Sequence, residues 1–275
     1  MKKYIIASTI FLSFITICLL LVNTGLPAPT NSQISTETDN NQTLAEVPTD
    51  DNVVCDKYEI DQLIVYEPHF ETIGLSVCDF PSDSLEFPYV GQFHILSVAA
   101  AYTDRYYWTD FSHDLIEGNH IVGGKFYEGS PCKENTGAFI YANRHWQIVY
   151  KDFKSAIKSS EGYDDTCAFE QTMLVYENKP VPLPAALVQN PKNIRRAICD
   201  YHNRLVIMES KTPQTYEEFA KCLASAGVFS ALYLDMGGQS YSLWRERESD
   251  QIKEIHPKTD KWVYATNYLN FFWVD

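Results

Sequence analysis

Positive charge is scarce in this chain. Its 22 Lys and Arg stand against 36 Asp and Glu, a formal net charge of −14. Nucleic-acid binding needs a cationic footprint, so this balance argues against DNA or RNA as a partner. No C-x-x-C and no H-x-x-x-H pair occurs, which disfavours a zinc site. Nor is there a dense Asp/Asn loop of the calcium-binding kind, so no metal and no cofactor is expected. Lys and Arg are missing altogether between Pro27 and Asn52, and large apolar residues are few there. Such a composition cannot bury enough surface to offset its ordering entropy, so 27–52 reads as a flexible linker.

At the N-terminus Lys2 and Lys3 precede the long uncharged, strongly apolar run Tyr4–Val22. As a helix that run is long enough to cross a hydrocarbon core, and it exceeds a usual signal-peptide h-region. Residues 1–26 therefore read as a signal anchor or a cleaved signal peptide, with small residues near Ala28 as a candidate cleavage site. In both cases Lys2 and Lys3 stay cytoplasmic and the remainder is exported: membrane-anchored if the segment stays, secreted if it is cut. Six cysteines follow Cys18, namely Cys55, Cys78, Cys132, Cys167, Cys199 and Cys222. An even set in an exported chain suggests disulfides, with the connectivity open. Free buried thiols are the alternative, above all for Cys199 and Cys222.

What the chain has in quantity is aromatic residues, 14% of the total with 18 Tyr and 15 Phe, a bias toward strands. Gln62–Tyr66, Gln92–Val98 and Met173–Tyr176 read as strands. A hairpin is expected across Asn143-Arg144, and a second between Arg195–Cys199 and Arg204–Met208, turning at Asp200–Asn203. Thr215-Tyr-Glu-Glu218 has the form of a capping box. Phe219, Cys222, Leu223 and Ala226 then fall on one helical face, and Gly227 supplies the stop. From there the chain enters the apolar strand Ala231–Leu234, which ends on Asp235 before Gly237 and Gly238. A β-prone C-terminus closes the core. The expectation is an α+β fold with mixed or mainly antiparallel β-sheets and a few flanking helices, forming one globular domain over 53–275.

The order of these segments carries more than any one of them. Gly123, Gly124 and Phe126 come first, then Arg195 with Ala197 and Ile198, then a strand ending in Glu209. Leu234, Asp235, Gly237, Gly238 and Ser240 follow, and then Asn267 with Leu269. This series resembles the phosphodiester glycosidase family, best from residue 190 onward. The chain departs from the family pattern at Val122, where the family has Asn, and at Glu209, where it has Asp. Ser210-Lys211 replaces Gly-Arg, Met236 replaces Gly and Gln239 replaces Ser.

The resemblance implies an exported hydrolase that cleaves the glycosidic bond of a sugar-phosphate phosphodiester, with a phosphorylated sugar or glycan as substrate. Carboxylates suit the oxocarbenium character of such a reaction, and a cation with glycine-turn N–H groups suits the leaving phosphate. Asp235 and Glu209 are the catalytic candidates. Arg195, Gly123, Gly124, Gly237, Gly238, Ser240 and Asn267 are the substrate-binding candidates, with Arg196 as the alternative inward-facing arginine. The departures at Val122 and Met236 leave open a catalytically silent, membrane-tethered glycan- or phospho-sugar-binding protein on the same fold.

Overall fold

The computed structural model describes residues 54–77, 93–102, 116–132, 135–235, 241–247, 249–256 and 267–273. They form two antiparallel sheets with three short helices on the outer face of the larger one. That sheet has eleven strands. Its central path runs β1 (Cys55–Ile60), β2 (Leu63–Pro68), β12 (Arg204–Ser210), β11 (Arg196–Tyr201), β13 (Ser230–Leu234), β9 (Cys167–Tyr176), β5 (His120–Val122) and β6 (Lys125–Tyr127). β7 (Thr136–Ala142) also pairs with β9 and carries β8 (His145–Val149), while β10 (Lys179–Pro180) folds back on β9. The second sheet has five strands in the order β15 (Ile252–His256), β14 (Ser242–Arg245), β4 (His94–Ala99), β16 (Asn267–Phe272), β3 (Thr72–Val77).

Alternation along the strands sorts side chains between two layers. Ile198, Ile207, Leu232 and Leu234 point toward Leu96, Val98, Leu269 and Phe271 of the second sheet, in one apolar layer. Ala197, Cys199, Val206, Met208, Ala231 and Tyr233 point the other way. That outer face is covered by α3 (Tyr216–Ser225), which buries Tyr216, Phe219, Ala220 and Leu223. Thr215 and Glu218 form the reciprocal capping box, and Gly227 leaves the helix at φ +90°. Farther along, α1 (Phe153–Ser159) seals Ile121, Ile140 and Ala168 with Ile157, and α2 (Ala185–Val188) adds Leu187 beside α3.

Tight turns set the register. Asn143-Arg144 and His202-Asn203 all have positive φ, as a two-residue turn of type I′ requires, and join strands whose end residues pair Ala142↔His145 and Tyr201↔Arg204. Every ladder between described strands is antiparallel, so of the two sheet types expected the antiparallel one is present.

The disulfide expectation does not hold among the described residues: Cys55, Cys132, Cys167, Cys199 and Cys222 are free thiols. Cys199 lies inside the layer beneath α3 and turns back on its own strand, its Sγ 3.7 Å from the Ala197 carbonyl. Cys222 is only partly buried and interacts with Gln214 and Gln62 at the rim of the helix, so the Cys199–Cys222 bridge is not formed. No helix among the described residues is long and apolar enough to cross a membrane. Residues 1–53, which hold the proposed anchor and linker, and Cys78 lie outside the described residues.

Candidate functional site

The topology gathers several strand ends in one place. Across β12, β11 and β13 the register runs Glu209↔Arg196↔Leu234, which sets the backbones of Glu209 and Leu234 about 10 Å apart at the usual spacing of neighbouring strands. Asp235 is the next residue. Its backbone N–H donates to the Ala100 carbonyl at 2.9 Å, tying the end of β13 to the end of β4. Ala100 donates in turn to the Asn267 carbonyl at the start of β16. The Asn267 side chain accepts from Ala101 N–H at 2.7 Å and donates to the Ala101 carbonyl at 3.0 Å. Asp235 and Asn267 thus meet through one short peptide segment, Ala100–Ala101.

On the inter-sheet side of this end, Glu209 is gripped from two directions. Arg196 reaches Glu209 Oε2 with Nε at 3.1 Å and Nη2 at 2.6 Å, and donates from Nη1 to Ser242 Oγ. His256 Nε2 approaches the same Oε2 at 3.0 Å. Burial alone would raise the Glu209 carboxyl, but the Arg196 charge and the contacts from His256 outweigh it and hold the group below the usual range. The layering runs outward: Arg196 is fully buried, the Glu209 side chain is 6% exposed and that of His256 is 30% exposed. Solvent therefore meets His256 first, Glu209 behind it and Arg196 last. Tyr66 lies close by, its hydroxyl pushed up by burial and then by the Glu209 charge.

Asp235 is 6% exposed and its charge acts on Tyr102 and Tyr233, helping burial to push both hydroxyls up. Tyr102 and Tyr216 share a hydrogen bond of 2.7 Å. Arg195 belongs to this same aromatic group. Its guanidinium lies 3.9 Å from the centre of the Tyr216 ring and donates to Tyr233 Oη, the Gln214 carbonyl and the Pro191 carbonyl. Neighbouring residues on one strand thus serve opposite faces of the sheet. Arg195 braces the α3 side near Asp235, and Arg196 holds Glu209 between the sheets.

Gly123 and Gly124 are elsewhere in the fold. They form the two-residue turn between β5 and β6, with φ +52° and +74°. A Cβ at Gly124 would come 2.4 Å from the Tyr163 carbonyl oxygen, so the close approach made there is to this chain's own backbone. Val122 packs against the inter-sheet core. Gly237, Gly238 and Ser240, together with Met236, lie outside the described residues. His256 and Ser242 were not singled out from the sequence. Nothing local marks them, because β14 and β15 reach Glu209 only through the pairing of the second sheet. Among the described residues, no group of three or more His, Cys, Asp or Glu side chains is arranged to hold a metal ion.

No protein-family model matches the chain, and no curated protein matches it either. Among solved structures, the chain is similar to the zebrafish N-acetylglucosamine-1-phosphodiester alpha-N-acetylglucosaminidase catalytic domain, auto-inhibited by its pro-peptide. The match has a TM-score of 0.52 and 11% identity, over 80% of this chain and 82% of that one. A hypothetical protein from Synechocystis aligns with a TM-score of 0.37 and 11% identity, over 79% of this chain and 61% of that one. At 11% identity the first match shows a shared fold and nothing finer.

Proposed function

We propose that the protein is an exported hydrolase that cleaves the glycosidic bond between a sugar and the phosphate of a phosphodiester. The observation behind this reading is a carboxylate at each of two strand ends at the same end of the sheet, Asp235 toward the α3 face and Glu209 between the sheets, with Glu209 held ionised by buried Arg196. In the proposed reaction the bond from the anomeric carbon to the phosphate oxygen breaks and its electron pair leaves with the phosphate. An ionised carboxylate stabilises the oxocarbenium character left behind. Water then bonds to the anomeric carbon and yields its proton to a base. Asp235 is the first candidate for the carboxylate facing the sugar. Glu209 orients His256, whose partly exposed ring is the candidate proton carrier. Backbone N–H groups at Gly237-Gly238 and the side chain of Ser240 complete the proposed substrate set; the Asn267 amide, expected to bind substrate, is instead spent on Ala101 in the core. Membrane attachment or secretion through residues 1–26 is part of the same proposal.

A second reading has one observation in its favour. The guanidinium of Arg195, the expected phosphate-binding cation, spends its donors on Gln214, Pro191 and Tyr233. A site without that cation suits a protein that binds a glycan or phospho-sugar and does not turn it over. One assay separates the two readings. The full chain is offered a panel of sugar 1-phosphodiesters, beginning with N-acetylglucosamine 1-phosphodiesters, beside its Asp235→Ala and Glu209→Gln variants. Release of free sugar by the wild type, lost in both variants, supports the hydrolase. Binding without release by the wild type replaces it with the second reading.

A further inference from the structure

On the outer face of the large sheet, between α1 and the β5–β6 region, lies a cavity of about 560 Å³. That is within the range of small-molecule sites. Its floor is Glu170 on β9, 3% exposed, with Oε1 accepting from Asn119 Nδ2 at 2.6 Å. The wall beside it is pressed close. A Cβ at Gly118 would come 2.5 Å from both Cys132 Sγ and Glu170 Cβ, and one at Gly129 would come 2.1 Å from the Gly118 carbonyl oxygen. Ser130 contributes a hydroxyl that is buried and has no hydrogen-bond partner among the described residues. Buried hydroxyls are normally satisfied, and Ser130 belongs to the cavity lining, so a ligand group seated beside it would complete this wall. Lys154 on α1 lines the cavity, as do Tyr150 and Phe153.

The lining sets one ammonium against two carboxylates, which disfavours a ligand of a single charge of either sign. An ammonium compound would have to sit beside Lys154, whose charge already reaches Glu170. A phosphate or carboxylate would face Glu170 and Glu128 across the same space. What suits the set is a neutral molecule with hydroxyls to donate to a carboxylate and oxygens to accept from an ammonium and a serine. Its carbon skeleton would lie against aromatic rings. That is the chemistry of a sugar ring.

We infer that this cavity is a saccharide-binding site, taking one neutral sugar residue with Glu170, Lys154 and Ser130 as its polar contacts and Tyr150 and Phe153 as its apolar side. It is separate from the Glu209 cluster but linked to the Asp235 side. The Tyr102 carbonyl accepts from Glu117 N–H at 2.8 Å, and Gly118 N–H donates to the Ser130 carbonyl. The site binds with or without the reaction proposed above, so its test does not rest on turnover.

The test measures binding of methyl glycosides of glucose, galactose, mannose and N-acetylglucosamine to the full chain by ligand-observed NMR and calorimetry. Glu170→Gln and Lys154→Ala are each expected to weaken binding about tenfold, the loss of one charge-assisted bond. Thr215→Ala, at the exposed cap of α3 and outside both sites, is expected to bind as the wild type does. Ser130→Ala carries the sharpest signature. Removing an unsatisfied buried hydroxyl leaves thermal stability equal or higher, while sugar binding weakens; a purely structural serine shows no such split. The inference is overturned if none of the four glycosides binds. It is equally overturned if binding is unchanged in both Lys154→Ala and Ser130→Ala.

Discussion

Arg196 and Glu209 sit directly opposite each other on β11 and β12, Nη2 2.6 Å from Oε2, with side-chain exposures of 0% and 6%. Removing one member of such a pair strands the other as a buried charge. Arg196→Met is therefore expected to cost about 3–5 kcal/mol. The double variant with Glu209→Gln should recover much of that loss, since no uncompensated charge remains. Urea unfolding of the two single variants and the double variant checks this. Additive losses would mean that the pair is not coupled.

His94 supplies a pH dependence of its own. It is buried against Phe272 and Asn270, and burial lowers its pKa from 6.5 to about 4, with the Arg245 charge adding to the shift and the Asn270 contact opposing it. The folded value lies below the unfolded one, so the unfolded chain binds the extra proton between those two values. Stability from neutral His94 is complete above 6.5, falls as pH drops through that window, and levels off near 4. The loss by pH 5 is on the order of 1–2 kcal/mol, and His94→Gln should flatten the profile there. The Glu209 contribution is also lost on acidification, but in a lower window, beginning near its ordinary value of 4.5.

The five described cysteines should behave as free thiols. Burial pushes the Cys55, Cys167 and Cys199 thiols up, and a thiol must ionise to react. In the native protein these three are expected to alkylate slowly, and all five should label fully once unfolded without any reductant. Peptide mapping after unfolding in iodoacetamide measures this. Recovery of any of the five as a disulfide would contradict the described geometry.

How much of this was legible in the chain depends on the range over which each signal acts. The helix at Tyr216–Ser225 was readable because its cap, apolar spacing and stop lie within a dozen neighbouring residues. The turn at Asn143-Arg144 was readable for the same reason, since a hairpin needs only local residues that tolerate positive φ; the one expected at Asp200–Asn203 is tighter, because pairing runs on to Tyr201↔Arg204 and leaves only His202-Asn203 in the turn. The site was harder. Arg195 and Arg196 differ by one position, and which faces the carboxylate depends on strand phase, set by what packs on each face. Tyr216 and Tyr233 draw Arg195 to the helix side, which leaves Arg196 for Glu209. The Gly123-Gly124 pair has the composition of a ligand turn and of a hairpin turn alike. Only the approach of Tyr163 distinguishes them.

Thr215→Ala removes the hydroxyl that accepts from Glu218 N–H at 3.1 Å. The cap lies at an exposed helix end, so the expected loss is about 1 kcal/mol. Glu218→Ala should cost less, because the Thr215 N–H it releases can turn to water. Both are read by urea midpoint, with the dependence on denaturant unchanged. Neither variant should alter sugar binding or turnover, which makes them controls for simple destabilisation.

Asn267 offers a stricter test of how the end of the fold is held. Its amide pairs with both the N–H and the carbonyl of Ala101, while the adjacent Ala100 carbonyl accepts from Asp235 N–H. Asn267→Ala leaves two buried backbone groups unsatisfied, at about 1–3 kcal/mol each. Asn267→Asp keeps the acceptor for Ala101 N–H but sets a carboxylate oxygen against the Ala101 carbonyl, so it should be at least as damaging as alanine despite its similar size. Asn267→Gln carries the same groups on a longer stem and cannot reproduce the geometry at a fully buried position. If the Ala100–Ala101 segment positions Asp235, turnover or ligand binding at this end should fall further in these variants than in Thr215→Ala, compared well below their unfolding midpoints. Equal function at equal folded fraction would show that Asn267 holds the sheet together and has no part in placing Asp235.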